Sequence, residues 1–292
     1  MQLFSRPKSK PSSSSNGHLD PAKLSFFFDN VYLIFPKLFH DEEVDAINAA
    51  IDRAWVDRSI YNNLTISAYP GEPNYTETYL RNVDRDARQS RYKLNHLYLY
   101  DPRVLDLIYS DKLHSILTEL LQAKPLLFNG LNMERGTEQP MHIDTFYMPP
   151  RSFGKMVATW LALEDIHPDS GPLSYYPRSH EIAAYKFSHG EIWAKHEEMP
   201  AFYSYYEPEV AKRGLKPEEF CPKKGDLFIW HAQLYHGGGR INNRALTRRS
   251  MVNHFWTYDD YAEGAIEIRP GKFMLRQDRM FVAPNFVERS TG

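Results

Sequence analysis

The chain's twelve histidines and 37 acidic residues offer many ways to hold a metal ion. Six histidines carry an acid two positions later: His18, His40, His142, His167, His189 and His196. The pattern alone decides nothing, so local context must. His18 sits in an opening segment rich in Ser, Pro and Lys, and His40 stands at a helix start. His167 belongs to the turn Pro168-Asp169-Ser170-Gly171, and His189 and His196 to a polar stretch. Only His142-Ile143-Asp144 falls in a strand-like run, Met141 to Met148. Residues two apart on a strand face the same side, so the imidazole of His142 and the carboxylate of Asp144 can converge on one ion while Ile143 packs behind them.

Two histidines and one carboxylate on one face leave coordination positions open, which is the arrangement that iron(II) oxygen chemistry uses. The third ligand then has to come from a distant strand. Gly225 to Gly239 supplies it: a turn leads into the apolar run Leu227 to Trp230, then His231, His236 and the triplet Gly237-Gly238-Gly239. The glycines permit close approach of backbone or ligand and favour His236. His231 competes, and is otherwise a hydrogen-bonded core histidine. A dicarboxylic co-substrate would need a cation for its remote carboxylate, and a guanidinium binds carboxylate bidentately. Arg248, twelve residues beyond His236, is the candidate. Arg249 should face the other way and Arg244 lies in the loop, so both default to solvated charge.

The elements that must position these residues are legible in outline. Residues 1–24 read as a disordered tail, too polar for a secretory signal and interrupted by Pro7 and Pro11, which oppose the amphipathic helix of a transit peptide. Phe26 to Phe35, aromatic and β-branched, reads as a buried strand. A helix follows with Asp41 as N-cap and Val44, Ile47, Ile51 and Trp55 at helical spacing. Ser59 to Gln89, polar and aperiodic, reads as a long loop, a candidate part of a substrate entrance. A second amphipathic helix covers about Pro102 to Leu121. From Pro125 the texture changes to short runs between turn residues: Leu126 to Met133, Met141 to Met148, Met156 to Leu163, Leu173 to Pro177, Leu227 to Trp230 and Ser250 to Tyr258. Helices first and many short strands afterwards predict a mainly β sandwich or barrel with an N-terminal helical buttress. An insertion near 182–219 interrupts that rhythm.

Bulk composition narrows the function classes. With 35 basic against 37 acidic residues, well interspersed, the net charge is −2, so no global field recommends nucleic acid or an acidic membrane surface. No run approaches the ~20 apolar residues of a membrane span. The lone Cys221 cannot form an internal disulfide or a cysteine-rich metal site, which points to a reducing, cytoplasmic setting and to a metal held by nitrogen and oxygen.

These residues together resemble the phytanoyl-CoA dioxygenase family of Fe(II)- and 2-oxoglutarate-dependent oxygenases, over roughly Val31 to Trp256. The most specific stretch is Trp160-Leu161-Ala162-Leu163-Glu164-Asp165-Ile166-His167-Pro168-Asp169-Ser170-Gly171-Pro172-Leu173-Ser174-Tyr175-Tyr176-Pro177-Arg178-Ser179-His180, similar to the family's strand, acidic turn, Gly-Pro-Leu strand and Pro-x-Ser-His segment. Val31 to Phe35, Phe39 and the helix at Asp41 resemble its opening strand and helix. The resemblance implies a double-stranded β-helix (a cupin-like jelly roll) spanning 25–292 as one domain, with N-terminal helices buttressing one sheet. It implies His142, Asp144 and His236 as iron ligands, Arg248 on the distal carboxylate of 2-oxoglutarate, Trp160 beside the co-substrate and Lys93 touching it. It also implies dioxygen as the oxidant, with release of succinate and carbon dioxide. One position departs: the family often has a small hydroxyl residue two after the distal histidine, and here it is Gly238. Relatives that halogenate lack the metal carboxylate, so Asp144 favours hydroxylation.

The expected substrate is a small molecule, with no nucleic acid or membrane partner. Phe146, Tyr147 and Met148 are the first candidates for contacting it, ahead of the clusters Tyr175-Tyr176 and Phe202 to Tyr206, which fit core packing. Arg151 and Lys155 default to solvated turn charge. Competing readings are a non-enzymatic jelly-roll binding protein and a zinc hydrolase, neither of which has a use for Arg248. Desaturation, epimerisation and cyclisation need the same iron site as hydroxylation.

Overall fold

The computed structural model describes residues 19–68 and 76–276. Most of the expected tail, residues 1–18, therefore lies outside the described residues, as do 69–75 of the expected loop. The first element among the described residues is helix α1 (Pro21–Asn30), not a strand. Asp20 caps it by accepting from the Ala22 N–H, and Pro21 occupies the first turn, where its missing N–H costs nothing. Those start signals override the aromatic run, and residues 21–24, expected in the tail, are helical. Val31 closes the helix in the left-handed region at φ 63°, its N–H bonded to the Phe27 carbonyl, and only then does β1 (Tyr32–Phe35) start.

Helix α2 (Asp41–Val56) follows, with His40 rather than Asp41 at the N-cap and the Glu43 carboxylate accepting from the His40 N–H. The expected long loop contains two strands, β2 (Thr65–Ala68) and β3 (Thr76–Tyr79), before β4 (Tyr92–Asn95). The single helix expected over 102–121 is two, α3 (Pro102–Ile108) and α4 (Asp111–Leu121), because Ser110 takes extended dihedrals and starts a new N-terminus. Then come β5 (Pro125–Met133), β6 (Val157–Ala162), β7 (Leu173–Tyr176), α5 (Met199–Lys212), β8 (Glu218–Phe220), β9 (Leu227–His231), β10 (Tyr235–Gly238), β11 (Ser250–Thr257), β12 (Ala265–Arg269) and β13 (Lys272–Leu275). The insertion near 182–219 thus carries one helix, α5.

Two sheets face each other. The larger runs β1-β9-β6-β11-β5-β4-β2-β3, with β13 added beside β5 and β12 beside β13; the smaller is β10-β7-β8. Its pairs are antiparallel except β13 on β5. Strand alternation splits the apolar residues into two cores. Val157, Leu161, Leu227, Ile229, Met251 and Phe255 point outward and pack against α2, α3 and α4. Ala158, Trp160, Phe228, Trp230 and Val252 point inward and meet Leu173, Tyr175 and Phe220 of the small sheet. Helices buttressing one sheet of a jelly roll is what the sequence led us to expect.

Candidate metal centre

His142 and His236 form an isolated antiparallel bridge: the His142 N–H donates to the His236 carbonyl at 2.8 Å and the His236 N–H returns to the His142 carbonyl at 3.0 Å. That exchange sets the two imidazoles side by side, ring centroids 4.4 Å apart. The strand expected over 141–148 is no longer than this. Ile143 is extended (φ −120°, ψ 128°), which turns His142 and Asp144 to one side, and Asp144 then opens a 3-10 turn to Phe146. Asp144 Oδ1 lies 3.5 Å from His142 Nε2 and 3.6 Å from His236 Nε2. Ligand atoms of these three buried residues all lie within 4.8 Å of one another.

The geometry prepares these atoms for a cation. His142 Nδ1 sits 2.8 Å from the Pro140 carbonyl and His236 Nδ1 2.9 Å from the Leu234 carbonyl. A carbonyl can only accept, so each ring carries its proton on Nδ1 and presents the Nε2 lone pair inward. Burial holds His236 down at about 4, which keeps its ring neutral at neutral pH, as ligation requires. Burial alone would raise Asp144, yet the positive charge that His236, His142 and His254 take on when protonated in acid outweighs it and holds the carboxyl below the usual range. Trp230 Nε1 donates to Asp144 Oδ2 at 2.8 Å, leaving Oδ1 for a metal. Two neutral imidazole nitrogens and one carboxylate oxygen fit a first-row divalent ion such as iron(II).

His231, the competing ligand, is a satisfied core residue: Nε2 lies 2.9 Å from the Gly154 carbonyl and Nδ1 accepts from the Gln233 N–H. Gly237 and Gly238 do serve a close approach, but of backbone: a Cβ on Gly237 would stand 2.9 Å from the Gln139 carbonyl oxygen, and one on Gly238 2.8 Å from the amide nitrogens of Glu138 and Gln139.

Arg248 precedes β11 and points between the sheets, 2% exposed, its guanidinium carbon 5.6 Å from the buried ring of Trp160. Its Nη1 donates to the Gly171 carbonyl at 3.0 Å, and among the described residues no carboxylate pairs with it. Burial pulls this guanidinium down to about 10. A buried cation without a counter-ion fits an anionic ligand. Arg249 does face the other way, onto Glu134, Asp52 and Asn48, and is an ion-network residue rather than a solvated one. Lys93, on β4, reaches the centre through Gln139: its Nζ donates to Gln139 Oε1 at 3.2 Å, and the Gln139 amide nitrogen lies 3.2 Å from His142 Nε2.

Sequence reasoning missed Trp230, Gln139 and His254. His254 is buried, held down at about 4 by burial, with Nε2 4.0 Å from Asp144 Oδ2 and Nδ1 3.3 Å from the Asn129 side-chain nitrogen. The signal for it was parity, since residues 248, 250, 252 and 254 share one face of a strand. Of the three substrate-contact candidates, the Tyr147 ring lies 5.5 Å from that of His142, while Phe146 is buried against Phe187 and Phe202, and the Met148 sulfur meets the Asn129 amide nitrogen at 3.6 Å. Arg151 is exposed and paired with Glu263, and Lys155 donates to the Leu121 carbonyl.

A jelly roll with this donor set on its inner face is the architecture of mononuclear metal oxygenases. The pattern of phytanoyl-CoA dioxygenase (PhyH) matches residues 30–250, and the chain belongs to that family of iron- and 2-oxoglutarate-dependent oxygenases. A phytanoyl-CoA dioxygenase domain-containing protein 1 homolog of Caenorhabditis briggsae is 19% identical over 176 residues, 51% of this chain and 61% of that relative, so the match spans under two thirds of the relative's length. Among solved structures, the carbocyclase SnoK from nogalamycin biosynthesis superposes with TM-score 0.63 at 15% identity, covering 85% of this chain and 87% of that one. The epimerase SnoN, in complex with Fe3+, alpha ketoglutarate and nogalamycin RO, gives 0.61 at 16%, covering 82% and 85%. No helix among the described residues is long and apolar enough to cross a membrane.

Proposed function

We propose that this chain is an Fe(II)- and 2-oxoglutarate-dependent dioxygenase that hydroxylates an unactivated C–H bond of a small molecule, with His142, Asp144 and His236 as the metal ligands. The observation that carries this reading is Asp144, whose Oδ1 faces both Nε2 atoms while Oδ2 is held by Trp230. A carboxylate in that place leaves no ligand position for a halide. Iron(II) with 2-oxoglutarate and dioxygen supplies the C–H oxidation, releasing succinate and carbon dioxide. The chain's own part is to bind, orient and shield. The Pro140 and Leu234 carbonyls fix the ring tautomers, Arg248 holds the remote carboxylate of 2-oxoglutarate with Trp160 at its flank, and Lys93 approaches from the β4 side through Gln139.

A hydrophilic substrate is favoured by the rest of that inner face. By register Glu77, Ser67 and Lys93 lie in one row across β3, β2 and β4, and Asn95 stands next to them, donating to Thr65 Oγ1 and Ser67 Oγ at 3.2 Å. Such a wall hydrogen-bonds a polar molecule and offers a long acyl chain little apolar surface. Carbocyclase and epimerase neighbours show that the fold also serves other outcomes; hydroxylation is preferred here because it asks for no acid, base or second positioning group beyond the centre itself.

The test is to load the protein with iron(II) and 2-oxoglutarate without oxygen and record the visible charge-transfer band of the chelate, with His236→Ala as control. The expected result is a band that the variant lacks. A folded, iron-loaded wild-type sample without the band would remove the proposal.

A further inference from the structure

Glu77, on β3, is 9% exposed. Its carboxylate accepts from the side chains of Thr65 and Asn95, and no cation among the described residues neutralises it. Lys93, two strands away in the same row, turns its Nζ to Gln139 instead. Burial raises the Glu77 carboxyl above its ordinary value against the pull of the two hydrogen bonds, so the ionised form is held at a cost. A carboxylate has about four lone-pair sites, and two neutral neighbours leave room for further donors.

Register places this acid on the metal's side of the large sheet. Ile66 and Leu94 pack at 0% exposure in the core under the helices, so their alternates Thr65, Ser67, Lys93 and Asn95 face inward. Glu77, opposite Ser67, faces inward with them. Thr65, Asn95, Leu131 and Val252 form one row across β2, β4, β5 and β11. Asn95 is thus two strand spacings, about 10 Å, from β11, whose His254 reaches to 4.0 Å from Asp144 Oδ2. The wall between is incompletely covered: Asn129 and Leu131, both inward, are half-buried while the rest of β5 is buried. Asn129 adjoins His254 at 3.3 Å, and Leu131 adjoins Asn95 in the row. A partly open path therefore leads from the centre to Glu77.

We propose that Glu77 binds a positively charged nitrogen of the prime substrate, an ammonium or amidinium group with N–H donors, while the body of the substrate lies over Leu131 and brings its C–H bond to the His142, Asp144 and His236 centre. This assignment rests on the reading that the centre oxidises a small molecule. A charge-assisted bond to a cation is about twice as strong as one from a neutral hydroxyl, and an anion at the same place meets like charge. The span of about 10 Å, apolar at Leu131 and charged at its far end, suits an aliphatic amine. A cation there also supplies what the ligand-free fold lacks, a partner for a buried charge.

Hexylammonium and hexan-1-ol are probes of matched length that differ in charge. Titration calorimetry on the full chain, loaded with manganese(II) and 2-oxoglutarate without oxygen, would compare them on wild type and Glu77→Gln. We expect hexylammonium to bind wild type at least tenfold more tightly than hexan-1-ol does. Glu77→Gln should weaken hexylammonium roughly tenfold to hundredfold and leave hexan-1-ol unchanged, with the ligand-free melting temperature level or raised. Proton relaxation by the manganese should broaden the methyl end of bound hexylammonium more than the methylene beside nitrogen. Equal affinity of cation and alcohol for wild type overturns the proposal without recourse to the variant. So do an unchanged hexylammonium affinity in Glu77→Gln, a lowered melting temperature with both probes weakened alike, and a nitrogen end that lies nearer the manganese. If manganese(II) does not bind, and hexylammonium still depends on Glu77 in the metal-free chain, the reading of the metal centre has failed and the cation site stands.

Discussion

Arg248 and Arg249 are consecutive, yet the large sheet sends them into opposite halves of the molecule. On the helix side, Arg249 joins Arg88, Glu134, Asp52 and Tyr92 in a network in which each charge has an opposite neighbour. Between the sheets, Arg248 has a carbonyl, a thioether and an aromatic face but no anion among the described residues. Arg248 is 2% exposed and the Arg249 side chain 20%, so both have most of their surface covered; the larger difference is completeness. A satisfied buried charge serves the fold. One left incomplete, at a cost to stability, marks the place where a ligand completes it.

The most damaging way to break this contrast is at the inner face's acid. Asp144→Ala should abolish iron binding and reduce turnover to background, a loss beyond about three orders of magnitude, while circular dichroism and melting show a folded protein. Retained iron and activity would move the centre elsewhere.

Exchanging the loss between the two halves sharpens the comparison. Arg248→Met should weaken 2-oxoglutarate by about a hundredfold or more, the cost of leaving one partner of a buried ion pair alone, with stability unchanged or improved. Glu134→Gln should do the reverse. It leaves Arg249 and Arg88 facing a neutral amide and should cost about 3 kcal/mol of unfolding free energy, with 2-oxoglutarate affinity changed only a few-fold. Urea denaturation and calorimetry on the two variants check both signs, and matching profiles would erase the distinction.

Buried bases obey the same rule, and here pH is the probe. Desolvation pulls the half-buried His96 and the fully buried His231 down to about 4 from an ordinary value of 6.5. The unfolded chain therefore binds more protons than the folded one between those values, so stability is full above pH 6.5 and falls as pH drops toward 4. Between pH 7.5 and 5.5 each histidine should cost about 1 kcal/mol, seen as an earlier denaturation midpoint. His231→Gln should lessen that slope; an identical slope would mean that the ring is not buried neutral.

The candidate centre could be picked out in the sequence because its residues obey short-range rules: an extended Ile143 turns His142 and Asp144 to one side, and the glycines after His236 are needed where 137–141 crosses β10. Arg248 and Arg249 were separable by parity alone. Elements were misread where polarity and position conflicted. The polar inner faces of β2 and β3 hid the alternation that marks a strand, with Ile66 and Ala68 the buried apolar residues of β2. Phe26 to Phe28 resemble a strand by composition, but Asp20 and Pro21 had already started a helix. Gln139 and Trp230 could not be found from local pattern, because their role depends on pairings that only the closed roll creates.

The smallest expected effect tests whether completeness or mere pairing is the useful criterion. Arg151 is paired with Glu263 at 2.5 Å, but the two side chains are 56% and 61% exposed. Water already solvates both, so the pair gains little Coulomb energy and orders two long side chains to gain it. Arg151→Ala should therefore change the unfolding free energy by no more than about 0.5 kcal/mol and should leave the 2-oxoglutarate affinity where it was. Denaturation beside Glu134→Gln is the check, because both variants remove one partner of an ion pair and differ in burial. Equal losses would show that pairing alone carries the stability, and would undo the inference that the missing partner of Arg248 is a ligand. A loss confined to Glu134 would leave burial with complete pairing as the structural case, and burial without it as the mark of the site.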